Sequence, residues 1–325
     1  MNEVIKRPST GVVKQTTHIS DELPSIVTSA GSGAMFAYEE FVYAKLRNPS
    51  TRKNYKHAVG RFLSFCERRQ RELKQIMPRD VGEYLDQMPF ASATKKLHLA
   101  ALRHFFDILV NRHVVMLNPA ASVRGPRLQI VEGKTPDIGV KQARKLLQSI
   151  DRTDPVSLRD RAVIAILIYT AVRVGAVAGL LVEDFFDAGD QYCLRFKEKG
   201  GKARQIPCRH DLQRFILDYT DAVGNSSTKS PLFRSALRRT KKLTDRGMAS
   251  GDISRMMKRR CRQIQLSPHF SPHSFRVTTI TDLLEQGVPL EDVQQLAGHA
   301  DPRTTRLYDR RKCKVTRNIV ERISV

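Results

Sequence analysis

Residues 271–312 read SPHSFRVTTITDLLEQGVPLEDVQQLAGHADPRTTRLYDRRK. Ser271-Pro272 is a helix start: serine can cap free amides, and proline suits the first helical position. Val277, Ile280, Leu283 and Leu284 then recur at helical spacing, and Gly287 closes the run. His273 and Arg276 stand three apart near that start and share a face. Backbone amides at the positive end of the helix favour an anion there. A second helix runs from about Pro289, with Leu290, Val293 and Leu296 inward, and stops at Gly298, directly before His299. Asp301-Pro302 starts a third, with the aspartate as cap and Tyr308 two turns in. Two histidines, an arginine and a tyrosine thus arrive from successive helix ends. Phosphoryl transfer needs such parts: cations for the phosphate oxygens, a proton acceptor and a nucleophile.

The order His273-Ser274-Phe275-Arg276, Leu296-Ala297-Gly298-His299 and Tyr308 resembles the tyrosine recombinase (phage integrase) family. That family carries His-x-x-Arg, then Leu-Gly-His, then a tyrosine. Here Tyr308 stands nine positions after His299, as in the family. The resemblance covers roughly residues 36–312. Read alone, His273 and His299 are ordinary helix-end residues and Tyr308 a core or rim tyrosine; their joint order argues otherwise.

The 325 residues suffice for two domains with their own cores. Hydrophobic residues make up 41% and charged residues 27%, a soluble globular balance. No apolar run reaches membrane-spanning length, and the N-terminus lacks a signal-peptide core. The net charge of +23 points to a polyanionic partner, nucleic acid first. Cys66, Cys193, Cys208, Cys261 and Cys313 are scattered and odd in number, which suits reduced thiols in a cytoplasmic protein without a zinc site.

Residues 1–34 show no period and read as a flexible tail. Residues 35–123 are helical throughout. Phe41, Leu46, Tyr55, Val59, Phe62 and Phe65 supply the first apolar faces, and Ser50 or Thr51 caps the helix after Pro49. Lys95, Lys96 and Arg103 lie on a basic face, where the plain alternative is a solvated helix surface. The run from Ser92 through Asn118-Pro119 resembles the end of the family's SAM-like core-binding domain. Residues 124–136, punctuated by glycine and proline, form the expected linker. Residues 137–325 form the expected catalytic domain. The whole is expected to be mainly α with a small antiparallel β-sheet (α+β). The resemblance implies a C-shaped two-domain clamp around DNA.

Within the second domain, Ala162–Val172 is almost wholly apolar and reads as a buried helix ending at Arg173. A charge there needs a partner or a ligand; the partner reading is an ion pair with Glu183 or Asp184. The family has its arginine here, in Thr-Gly-x-Arg-x-x-Glu-x-x-x-Leu, and Thr170, Arg173 and Leu180 match. The acidic position is Ala176 in this chain, which leaves the fixing of Arg173 without the family's carboxylate. Residues 191–208 alternate and turn at Gly200-Gly201, a β-hairpin tipped with lysines. The resemblance aligns Lys199 with the family's catalytic lysine, with Lys202 as runner-up. Arg255, Lys258, Arg259 and Arg262 line one face of a later helix suited to phosphates. Beyond Tyr308, Ile319, Val320 and Ile323 offer a small apolar face of the kind the family packs on a neighbouring protomer.

The resemblance implies that Tyr308 attacks the scissile phosphate to give a 3′-phosphotyrosine. Arg173, Arg276 and His299 bind the phosphate, His273 takes a proton or donates a hydrogen bond, and Lys199 protonates the leaving oxygen. Neither ATP nor metal is required. The implied partners are double-stranded DNA with inverted-repeat core sites, a tetramer of this chain on DNA, and an optional DNA-bending protein. The implied location is the cytoplasm, on the nucleoid. Integration or resolution of a mobile element or plasmid is the first role expected. Chromosome-dimer resolution and an inactive DNA-binding relative are the alternatives. A nicking-closing topoisomerase fits the helical N-terminal domain and Leu-Gly-His less well, and a metal-dependent transposase lacks its carboxylates.

Overall fold

The computed structural model describes residues 23–127, 135–197, 203–224, 227–238 and 240–309. They fall into two compact units divided at residues 129 and 130, each with its own core. The expected class holds: the described residues are mainly helical, with small antiparallel sheets.

The first unit comprises α1 (Ser25–Ser29), α2 (Ser32–Glu39) running on into a π-helical turn Glu40–Lys45, α3 (Pro49–Arg68), α4 (Pro78–Gln87) and α5 (Ser92–Asn111). The expected tail through residue 34 is corrected here. Ile26 and Val27 join the core, and the Glu67 carboxylate accepts from the Ile26 N–H (3.0 Å) and the Ser25 hydroxyl (2.6 Å). A five-residue helix is too short to show a period, so the sequence carries no signal for it. Residues 1–22 lie outside the described residues. Asn48, rather than Ser50 or Thr51, caps α3: its Oδ1 accepts from the backbone N–H groups of both, because Pro49 occupies the first helical position. Phe41, Phe62, Phe105 and Phe106 are fully buried, with Phe41 and Phe105 edge to face at 5.4 Å.

The second unit opens with α6 (Val140–Gln148), α7 (Pro155–Thr170) and α8 (Val174–Ala178). Strands β1 (Phe185–Asp187), β2 (Tyr192–Lys197) and β3 (Ala203–Pro207) form one antiparallel sheet in that order, pairing Leu194 with Ile206 and Phe196 with Arg204. Leu194 and Phe196 are fully buried, as the alternation requires. The tip of this hairpin, with Lys199 and Lys202, lies outside the described residues, as does most of the linker expected at 124–136. After α9 (His210–Val223) comes a second ribbon, β4 (Arg234–Ala236) with β5 (Leu243–Gly247). The sequence does not announce it, because both strands are short, polar and offset by a register shift. Helices α10 (Ser250–Gln263), α11 (Pro272–Glu285), α12 (Leu290–Ala297) and α13 (Pro302–Arg306) complete the unit.

Helix α7 is buried on every side and packs against α6, α9, α10 and α11. Its first turns bury charge as well: Asp160, fully enclosed, accepts from Arg159 (2.6 Å), Arg259 (2.7 Å) and Arg260 (2.9 Å). These bonds tie α10 to α7. No described helix is long and apolar enough to cross a membrane.

Candidate active site

Helix α7 stops at Thr170, and Ala171 takes the left-handed conformation (φ 49°). This break turns the chain so that Arg173 sits at the N-cap of α8 instead of ending α7. Asp184, one of the two ion-pair partners expected for Arg173 beside Glu183, uses its carboxylate to accept from the Leu181 N–H (3.0 Å). Arg173 is exposed, and its charge bears on His273, His299 and Tyr308 together.

Arg276 lies on α11 and is 1% exposed, the largest fully buried side chain described. Its guanidinium donates to the carbonyls of Ala171 and Ala297, the latter at 2.5 Å. One side chain therefore joins the end of α7 to the end of α12. Both carbonyls sit at helix C-termini, where acceptors lack intrahelical partners and the dipole favours a cation. Arg204 of β3 repeats the device, donating to the carbonyls of Gln295 (2.8 Å) and Leu296. Nothing in the sequence marks this arginine as a support, although it stands in the lysine-hairpin run that carries the resemblance.

Gly298 ends α12 in the left-handed conformation (φ 62°), which delivers His299 inward. His299 is buried; its Nδ1 lies 2.9 Å from Thr305 Oγ1, and its carbonyl accepts from Gln294 Nε2 (3.0 Å). Asp301 caps α13 as expected, accepting from the Arg303 N–H (2.8 Å). Tyr308 is not two turns into that helix: α13 ends at Arg306, and Tyr308 lies in the turn beyond, its N–H donating to the Thr305 carbonyl. Its ring stacks on His299 at 5.9 Å and 7°, and its Oη is 3.3 Å from His273 Nε2.

The electrostatics follow from burial beside guanidinium groups. Desolvation first, then Arg276 and Arg173, push His299 down to about 4. His273, though it reaches solvent, is lowered for the same reasons in the same order. Burial raises the Tyr308 hydroxyl, and the two arginines oppose that rise. At neutral pH the site thus holds neutral imidazoles, a neutral phenol and two permanent cations, an arrangement that favours an incoming anion. The buried thiols of Cys66, Cys208 and Cys261 are pushed up to about 12, 12 and 11, so they are poor nucleophiles. Among the described residues, no group of three or more His, Cys, Asp or Glu is arranged to hold a metal ion.

The low His299 value has a stability consequence. An unfolded histidine titrates near 6.5, so between about pH 6.5 and 4 the unfolded chain takes up the proton and the folded one does not. Stability therefore falls as pH drops through that window, by on the order of 3 kcal/mol in full. Urea midpoints at pH 7.5 and 5 measure this, and His299→Gln is expected to flatten the dependence. Equal slopes for the two proteins would contradict the assignment.

Of the basic residues expected to contact DNA, not all present free charge. Arg103 donates to the carbonyls of Ala120 (3.1 Å) and Val123 (2.6 Å), holding the chain that follows α5. Arg255 pairs with Asp252, and Arg259 with the buried Asp160. Asp252 lies on the same helix three residues before Arg255, whereas Asp160 comes from α7, where helical spacing could not reveal it. Lys96, Lys258 and Arg262 are exposed and Lys95 is half-buried, with no side-chain hydrogen bond or ion pair to any of the four among the described residues.

Residues 137–314 match the phage integrase family, and residues 38–115 match the phage integrase N-terminal SAM-like domain. The chain belongs to the phage integrase family. This recombinase is 33% identical over 236 residues to the tyrosine recombinase XerC of Pelobacter propionicus, covering 72% of this chain and 73% of that protein. It is 29% identical over 269 residues to the XerC of Escherichia coli (strain K12 / DH10B), covering 80% and 85%. Its fold is similar to that of the XerH site-specific recombinase in a post-cleavage complex with palindromic difH substrate (TM-score 0.69, 19% identity, 90% of this chain and 86% of that one). It is also similar to a lambda integrase dimer bound to a COC' core site (TM-score 0.62, 18% identity, 85% and 75%). As a member of this family the protein is a site-specific DNA recombinase.

The recombinase departs from the family pattern at Ala171 as well as Ala176, since the family has glycine where this chain turns left-handed. A Cβ in that conformation costs about 1–2 kcal/mol. The methyl is fully buried in a small cluster with Val277, Ile280 and Tyr308, worth about 0.8 kcal/mol. Glycine would also give the unfolded chain about 0.4–1 kcal/mol of extra freedom. These offset one another, so Ala171→Gly is expected to change stability by less than about 1 kcal/mol. A urea denaturation curve tests this, and a larger gain would mean that the methyl contributes no packing.

Proposed function

We propose that this recombinase cuts and rejoins DNA through Tyr308. The observation that carries the reading is Tyr308 Oη, 3.3 Å from His273 Nε2 and under the charges of Arg276 and Arg173. Tyr308 attacks the scissile phosphate, His273 accepts the phenolic proton, and a 3′-phosphotyrosine forms as the 5′-oxygen leaves. Arg173 and Arg276 neutralise the nonbridging oxygens, a task suited to a permanently charged planar fork. His299, neutral at working pH, donates a hydrogen bond to the same phosphate. Lys199, with Lys202 as runner-up, protonates the leaving oxygen. The covalent bond conserves the energy of the phosphodiester, so neither ATP nor metal enters the scheme. Ala176 leaves Arg173 without the family's carboxylate, while the carbonyls of Ala171 and Ala297 support the positioning of Arg276.

The substrate in this reading is double-stranded DNA with inverted-repeat core sites, bound by a tetramer in the cytoplasm, with or without a DNA-bending protein. Lys95, Lys96, Lys258 and Arg262 contact phosphates. The chain is divided into a core-binding domain to residue 123 and a catalytic domain from 137. Of the biological roles weighed from the sequence, similarity to XerC supports chromosome-dimer resolution; mobility of an element or plasmid has no comparable support.

A suicide DNA substrate, nicked beside the cleavage point so that the strand cannot be rejoined, tests the chemistry. The expected result is a protein–DNA adduct that survives denaturation and forms in the presence of EDTA. Tight, specific binding without an adduct would favour an inactive DNA-binding relative.

A further inference from the structure

Thr305 is fully buried, and among the described residues its hydroxyl has one hydrogen-bond partner, Nδ1 of His299 at 2.9 Å. The imidazole is held from other sides too. Tyr308 stacks on its face, Gln294 holds its backbone carbonyl, and Arg204 and Arg276 anchor the carbonyls just before it. A ring flip would break the bond to Thr305, so Nε2 is the nitrogen left for a ligand.

We infer that Thr305 is a positioning residue that sets the tautomer of His299, donating its hydroxyl proton to Nδ1 so that the imidazole carries its own proton on Nε2. A neutral imidazole has one N–H, and the hydrogen bond made at one nitrogen decides which nitrogen bears it. With Nδ1 as acceptor, Nε2–H points a donor at a phosphate oxygen without adding a third cation. With the opposite tautomer, Nε2 would present a lone pair to the anion and repel it. Thr305 thus makes a buried, uncharged histidine useful to an anionic substrate. This assignment rests on the reading of His299 as a phosphate donor.

The test compares Thr305→Val, which keeps the shape and removes the hydroxyl, with Thr305→Ser, which keeps the hydroxyl. Nitrogen-15 spectra of the histidine rings in the full-length protein report the tautomer, with His299→Gln identifying the signal. Wild type and Thr305→Ser are expected to show the Nε2–H form of His299, and Thr305→Val a mixture or the Nδ1–H form. Adduct formation on the suicide substrate is expected to fall at least about tenfold in Thr305→Val and to be largely retained in Thr305→Ser, with DNA affinity unchanged in both. A wild-type His299 protonated on Nδ1 would overturn the assignment, and so would adduct formation by Thr305→Val at the wild-type rate. If the wild type forms no adduct, the phosphate-donor reading fails, while the tautomer spectra still decide between Thr305 and no Thr305 control.

Discussion

Tyr308→Phe is expected to lose the covalent DNA adduct altogether, with a fall in strand cleavage on the order of 10⁴-fold or more. Phenylalanine keeps the ring that stacks on His299 at 5.9 Å and keeps the packing against Val277 and Ile280. It removes only the hydroxyl, whose one hydrogen-bond contact among the described residues is the long one to His273. Such a neutral bond contributes about 1 kcal/mol at most, so the variant should fold and bind DNA as the wild type does. Activity and stability thus separate cleanly in this substitution. Single-turnover cleavage of the suicide substrate, read beside a urea curve and a DNA-binding titration, measures all three. A residual adduct would identify a nucleophile other than Tyr308 and end the proposed mechanism.

Arg276 should behave differently, because its fork holds the site together and, in the proposed mechanism, also binds the phosphate. Arg276→Ala leaves the carbonyls of Ala171 and Ala297 buried without this donor and opens a cavity inside the unit. Unsatisfied buried groups cost about 1–3 kcal/mol each, so a stability loss of about 3–5 kcal/mol is expected, together with loss of cleavage. Arg276→Lys is the sharper experiment. Lysine retains the charge but lacks the planar fork needed to reach two carbonyls and a phosphate oxygen at once. It is expected to restore most of the stability and still lower the cleavage rate about 10²–10³-fold. Wild-type cleavage by Arg276→Lys would show that charge alone suffices and that the fork serves only the fold.

The site was legible in the sequence to the extent that its parts lie at helix ends. Gly287, Gly298 and Asp301-Pro302 mark the boundaries of α11, α12 and α13, and the structure puts those boundaries where the sequence does. His273, Arg276 and His299 follow from those boundaries by short offsets. The sequence places Tyr308 in a helix that ends two residues before it, because a helix of five residues gives no periodic signal of where it stops. Ser25–Ser29 escaped for the same reason. The β4–β5 ribbon escaped because its strands, rich in charge, do not alternate.

The roles of the arginines could not be read in the same way. Arg259, Arg103 and Arg204 look like surface cations in one dimension, and Arg276 looks like a phosphate ligand with no structural task. Their partners are a carboxylate 99 residues away and backbone carbonyls 17 to 105 residues away. Sequence spacing says nothing of such distances, and a backbone carbonyl has no residue type to search for. The same holds for Thr305, an unremarkable threonine until its hydroxyl is found against His299.

By itself, the sequence determined the class of this protein: the apolar periods set its helices, the capping residues set where they end, and the order of His273, Arg276, His299 and Tyr308 carries the likeness to its family. Those signals are local, acting over one or two helical turns. Only the tertiary structure decided which cations are held by the protein's own oxygens. It also decided that the histidines are held neutral and that Tyr308 lies in a turn against both of them. Those properties come from burial and long-range contact, where desolvation and the low dielectric make each partner count.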